Sequence, residues 1–125
     1  MRLLSLNFLA QILLASSEVE EDAQKILDYP YFAELMAWWN IKWEPVKVKT
    51  EDGFTLVTFH LLGRRGKHHR DPDPSLNPIM MMNGLECDAT SWFGLGDKSI
   101  PPMPIRFLDE GFDVWLANNR ATKYC

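Results

Sequence analysis

Cysteine is scarce in this chain: Cys87 and Cys125 are the only two in 125 residues. Their spacing fits no metal-binding motif, and they are free either to bridge each other or to pair with a cysteine elsewhere. Positive charge is also short. Thirteen Lys and Arg against seventeen Asp and Glu leave a net charge of -4 and a pI near 5.3. That balance excludes a nucleic-acid partner, because phosphate binding needs a basic face. No apolar run reaches the roughly 20 residues a membrane span requires. No Asn-x-Ser/Thr acceptor occurs, so the sequence offers no site for N-glycosylation.

What is present is apolar. Hydrophobic residues make up 46% and aromatics 12%, with five Trp, a composition that excludes a disordered chain and suits one small domain. The N-terminus has the layout of a signal peptide over residues 1–17. Arg2 supplies the positive start, Leu3 to Leu14 the apolar core, and Ala15-Ser16-Ser17 a small-residue cleavage site. Secretion, or delivery to a lysosomal or other endomembrane lumen, is the corresponding expectation, and such compartments permit disulfides.

A helical segment is expected over residues 18–43. Glu18 to Asp28 places acidic residues in a first turn, with Ala23, Ile26 and Leu27 as its apolar side. Tyr29-Pro30 interrupts it, and Pro30 can open the next helix. There Phe32, Leu35, Met36 and Trp39 recur at helical spacing, and Trp38, Trp39 and Trp43 read as a packing cluster.

Residues 44–125 read as α/β. Val46 to Thr50 alternates as a half-buried strand does, Asp52-Gly53 signals a type I′ hairpin, and Phe54 to Leu62 forms the return. A polar loop follows from Gly63 to Pro78, with a basic cluster at Arg64, Arg65, Lys67, His68, His69 and Arg70. Pro78 to Met82 is a continuous apolar run, as in a strand buried on both faces. Pro101, Pro102 and Pro104 then crowd the first turn of a helix whose apolar residues are Met103, Phe107 and Leu108, and Gly111 is a natural stop. Phe112 to Ala117 is a further strand. Strand, helix, strand at this spacing is a βαβ unit, so the expected sheet is mixed: an antiparallel hairpin joined to a parallel pair.

Three motifs in this order resemble the N-terminal region of the acid lipases, the gastric and lysosomal hydrolases of triglycerides and steryl esters. Val48-Lys-Thr-Glu-Asp-Gly-Phe54 is similar to the family's V-x-T-E-D-G-Y/F hairpin. Asn83-Gly84-Leu85, followed by Ala89-Thr90-Ser91-Trp92, stands where the family carries H-G-L and a later Trp. Asp109 to Arg120 resembles A-D-x-G-Y-D-V-W-L-G-N-S/N-R. The resemblance implies the first part of an α/β-hydrolase fold, incomplete as the sequence stands, with neutral lipid esters as substrates once further sequence completes it. It implies no metal or organic cofactor.

Ester hydrolysis passes through a tetrahedral oxyanion, and one of the backbone donors that stabilise it follows the third strand of the fold. By resemblance that donor is the N–H of Leu85, supported by Asn83 and by Gly84, which would let the chain turn sharply. Three positions depart from the pattern. Asn83 replaces His, Ala121 stands where a Gly is expected and would resist positive φ, and Cys125 replaces a common Ser.

The chemistry itself is missing from these residues. A serine esterase needs G-x-S-x-G, then an acid and a His. None of the six serines (Ser5, Ser16, Ser17, Ser75, Ser91 and Ser99) lies in that pattern. No triad can be assembled with His60, His68 or His69, and no carboxylate or Cys spacing supports a metal at His68-His69. The chain alone is therefore expected to be inactive. The resemblance further implies that Ile79 to Met82 forms an open sheet edge through which chains associate. A non-catalytic secreted module binding lipid or protein, or an inactive lipase paralogue, is the alternative reading.

Overall fold

The computed structural model describes residues 17, 19–65, 75–94 and 99–125. The segment expected to be a signal-peptide core and His68-His69 lie outside these residues. The chain forms two compact units, Met1–Glu34 and Leu35–Cys125.

In the first unit, α1 covers residues 19–28. Its stability is local: Lys25 pairs with Glu21 at 3.1 Å and Asp22 at 3.6 Å, and Gln24 donates to Asp28 at 2.8 Å. The apolar side expected for this helix is not buried, since Ala23, Ile26 and Leu27 are all exposed. Tyr29 breaks the helix, and Pro30 opens α2, Pro30–Trp39. The stripe read from spacing is realised in α2, where Phe32, Met36 and Trp39 are buried. Trp38 is exposed, because it falls on the other side of the helix from Met36.

The second unit is a four-stranded mixed sheet in the order β1-β2-β4-β3. The strands are β1 (Ile41–Lys49), β2 (Thr55–Arg64), β3 (Pro78–Met82) and β4 (Asp113–Ala117). The β1–β2 and β2–β4 pairs are antiparallel and β3–β4 is parallel. This is the hairpin-plus-βαβ arrangement expected from the sequence.

The hairpin turn differs from the expected type I′. Of its central residues only Gly53 has positive φ, at +94°. Gly53 N–H donates to Thr50 C=O at 3.0 Å, and Thr50 N–H to Phe54 C=O at 2.8 Å. The connection is thus a three-residue loop with a glycine at the bulge position. Thr50 Oγ1 bonds Asp52 at 2.7 Å and holds that tip.

A short helix, α3 (Met103–Asp109), connects β3 to β4 and packs against β4 and β2. Its end is a Schellman motif: Phe112 N–H reaches Phe107 C=O at 3.1 Å, and Gly111 N–H reaches Leu108 C=O at 3.2 Å. Gly111 takes φ +92°, which a side chain would strain. The Phe107 and Phe112 rings close the motif edge to face at 5.8 Å. Arg64 on β2 forks onto Asp109 at 2.8 and 2.6 Å and fixes the helix to the sheet.

The core lies on the face carrying Trp43, Phe59, Leu61, Val114, Leu116 and Met81, all buried. Phe59 meets Trp43 and Tyr124 edge to face at 5.4 and 5.0 Å. β3 is not buried on both faces as its apolar run suggested. It is an edge strand, with Met80 and Met82 63% and 50% exposed and only Met81 buried. An edge strand of methionines reads the same in sequence as a buried one.

Candidate functional site

β3 and β4 run parallel, so the loops leaving Met82 and Ala117 emerge at one end of the sheet. In open α/β sheets that carboxyl end is where ligands bind. Two asparagines shape it. Asn83 is buried, accepts Asn119 N–H at 3.0 Å, and donates to the carbonyls of Cys87 at 2.5 Å and Gly84 at 3.1 Å. Asn118, 2% exposed, accepts Ala89 N–H at 2.8 Å and donates to Val57 C=O at 2.7 Å.

Between them the chain turns at residues 84–87, with Cys87 N–H on Gly84 C=O at 3.2 Å. Leu85 is not among the positive-φ residues, while Glu86, the third residue of the turn, takes +58°. The left-handed residue is therefore Glu86 and not Gly84, whose φ is ordinary and whose missing Cβ would meet nothing within 4 Å. The sharp bend expected of Gly84 is made two residues later, by a residue for which it is strained. The side chain of Leu85 is 94% exposed. The N–H groups of Leu85 and Glu86 have no hydrogen-bond partner among the described residues.

Asp88 caps the 3₁₀ turn Ala89–Trp92 by accepting Thr90 N–H at 2.8 Å, and it also bonds the Thr90 hydroxyl. Lys123 lies 3.3 Å from its other oxygen. Burial alone would raise the Asp88 pKa, but the bonds from Thr90 and the Lys123 ammonium outweigh it and hold the carboxyl below its usual range. Ser91 Oγ donates to Asp88 C=O at 2.8 Å. Cys87 and Cys125 are both exposed free thiols, so the bridge left open by the sequence is not formed here.

A second cluster was invisible to motif reasoning. His60, 2% exposed, has Nδ1 2.9 Å from Glu44 Oε1 and Nε2 2.6 Å from Asp113 Oδ1. Trp115 Nε1 donates to the other Asp113 oxygen at 2.6 Å. The two carboxylates sit on opposite sides of the ring, so no single ion can be shared by all three groups. Among the described residues, no group of His, Cys, Asp and Glu is suited to hold a metal. Hairpin symmetry could have found half of this cluster. With the loop centred on Asp52, Glu44 and His60 fall opposite each other. Asp113 comes from a strand with no such local marker.

A mixed sheet with a βαβ unit and a polar loop at the carboxyl end of its parallel strands defines an open α/β domain. Residues 32–96 match the family described as the partial alpha/beta-hydrolase lipase region, and the chain belongs to it. Its relatives include a protein described as a probable lipase in Schizosaccharomyces pombe, 29% identical over 106 residues, which covers 85% of this chain and 23% of that protein. Lipase member K of Mus musculus is 29% identical over 94 residues, or 74% of this chain and 22% of its own length. The lysosomal acid lipase/cholesteryl ester hydrolase of Homo sapiens is 30% identical over 93 residues, again 74% and 22%. The chain thus spans less than a quarter of the length of these curated relatives. No helix among the described residues is long and apolar enough to cross a membrane.

Proposed function

We propose that this chain supplies the N-terminal part of a lipid ester hydrolase of the triglyceride or steryl ester type, and that the Leu85 N–H is one donor of its oxyanion hole. The observation that carries this reading is the pair of N–H groups at Leu85 and Glu86 with no hydrogen-bond partner among the described residues, in a turn with a left-handed residue after one of the parallel strands. Backbone strain of this kind costs on the order of 1–2 kcal/mol and persists where the surrounding structure enforces it, commonly at functional sites. Two N–H groups held ready in that way suit an oxygen that gains charge during acyl transfer, since no reorganisation is needed at that moment. Asn83 takes the supporting role, its amide holding both ends of the turn. The names of the relatives, lipases and a cholesteryl ester hydrolase among them, supply the substrate class. The signal-like N-terminus and the lysosomal relative support a secreted or lysosomal setting.

In this reading the nucleophile, acid and His come from a longer polypeptide. Reading the transcript beyond the codon for Cys125 tests it: an in-frame G-x-S-x-G supports the proposal, and a genuine stop removes it. In that longer polypeptide, Leu85→Pro deletes the donor at the second position of a turn, where proline is commonly accommodated. A fall in kcat of about 100-fold or more is expected. Unchanged turnover of a p-nitrophenyl ester would show that Leu85 N–H is not a donor.

A further inference from the structure

Asn83 and Asn118 form a reciprocal lock. Each follows one of the two parallel strands, and each amide holds backbone of the loop that leaves the other strand. Asn118 is the more consequential half, because its second bond goes across the sheet to Val57 on β2. One buried amide thus ties the end of the candidate oxyanion loop, at Ala89, to a central strand. Ala89 is fully buried, so its N–H has no water to turn to if Asn118 is lost. A planar amide is the short side chain that both accepts and donates, which these two backbone groups require. A leucine here would leave both unpaired, and an aspartate would keep the acceptor but set an oxygen against Val57 C=O.

We propose that Asn118 is a positioning residue for the Gly84–Asp88 loop: by bonding Ala89 it fixes the exit of the loop and with it the setting of the N–H groups of Leu85 and Glu86. Its meaning for catalysis rests on the oxyanion reading above, while the positioning itself rests on hydrogen bonds alone. Asn83 fixes the entrance and Asn118 the exit, so the turn between them has both ends defined.

Residue-resolved amide exchange by NMR on the full chain tests this, with the wild type, Asn118→Ala and Asn118→Asp compared and global stability measured by urea unfolding. In the wild type, Ala89 should exchange at least about tenfold more slowly than Leu85 or Glu86. Asn118→Ala should remove that protection, by about tenfold beyond any change in global stability, since one bond is lost. Asn118→Asp keeps the acceptor and should preserve Ala89 protection even though the chain as a whole is less stable. That rescue separates positioning from a general packing role. Exchange at Ala89 that simply follows global stability in both variants would overturn the proposal. Should a variant fail to fold, the wild-type comparison decides, and equal rates at Ala89 and Glu86 would likewise overturn it. None of these readouts involves ester turnover. A transcript that stops at Cys125 would sink the hydrolase reading and leave this result intact, and equal exchange rates would do the reverse.

Discussion

The imidazole of His60 lies flat on the indole of Trp115, with ring centres 3.8 Å apart and planes 6° from parallel. The two residues are direct cross-strand partners on β2 and β4, and Glu44 is the partner of His60 on β1. Strand register therefore builds the stack and brings one carboxylate with it, and Asp113, two residues before Trp115, adds the second. Three strands are joined through one ring.

Replacing that ring should cost more than replacing either end. His60→Phe keeps an aromatic on Trp115 but strands Glu44 and leaves Asp113 with the indole alone. A loss of about 1–3 kcal/mol in urea unfolding is expected, the usual cost of leaving hydrogen-bonding groups without their partner. Glu44→Gln should cost under about 1 kcal/mol, because that side chain is 37% exposed and the amide still accepts. Equal losses would mean that the cluster is not organised by His60.

Arg120 grips Asp52 through both terminal nitrogens at 2.7 Å and lies 4.5 Å above the Phe54 ring. It joins the hairpin tip to the segment after β4, which are two of the three motifs in the chain. Both partners are about half exposed. Arg120→Lys loses the fork and should lower Tm slightly at low ionic strength. The difference should shrink in 1 M NaCl, where the screening length is about 3 Å. A difference that grows with salt would point to packing.

Ala121 takes φ +65°, the left-handed conformation that its methyl group resists. Ala121→Gly should raise stability by about 0.5–1 kcal/mol, the relief of strain less the greater freedom glycine gives the unfolded chain. Thermal melts of the two chains side by side give the answer. A destabilised glycine variant would mean that neighbouring contacts, and not φ, decide this position.

Acid should weaken the fold through two carboxyls. Hydrogen bonding from Thr50 is the main cause that lowers Asp52, with Arg120 adding to it, and Asp88 is lowered by Thr90 and Lys123 against its burial. A depressed carboxyl contributes its full stability above the unfolded value of about 3.9 and loses it as pH falls through the folded value. These pairs should thus hold their contribution between pH 7 and 5 and lose it below about pH 4. Asp88→Asn should flatten that decline, as read from urea midpoints at each pH.

The elements that sequence revealed best are those with a local chemical cause. Gly111 announced the end of α3 because only a left-handed residue closes the Schellman bonds, and the strand that follows was legible with it. The start of β1 was hidden. Pro45 sits inside that strand, and a proline normally argues against one; it is tolerated here because β1 is at the sheet edge. The face of β3 was misread because a five-residue apolar run says nothing about which neighbours cover it. Asn83-Gly84-Leu85 lies in the loop after β3, but the left-handed residue of that loop is Glu86, and its exit is held by Asn118, 29 residues from its partner Ala89. Pairings of that kind depend on which strands become neighbours, and no local pattern encodes them.

The central place of β4 has a consequence for biogenesis. β2 and β3 never touch as neighbours, and both pair with β4, whose residues 113–117 are translated after all the others in the sheet. The β1–β2 hairpin can close while the nascent chain is still emerging, but β3 must wait without a partner until β4 has cleared the ribosomal tunnel. During that interval its methionines are what a chaperone would meet first.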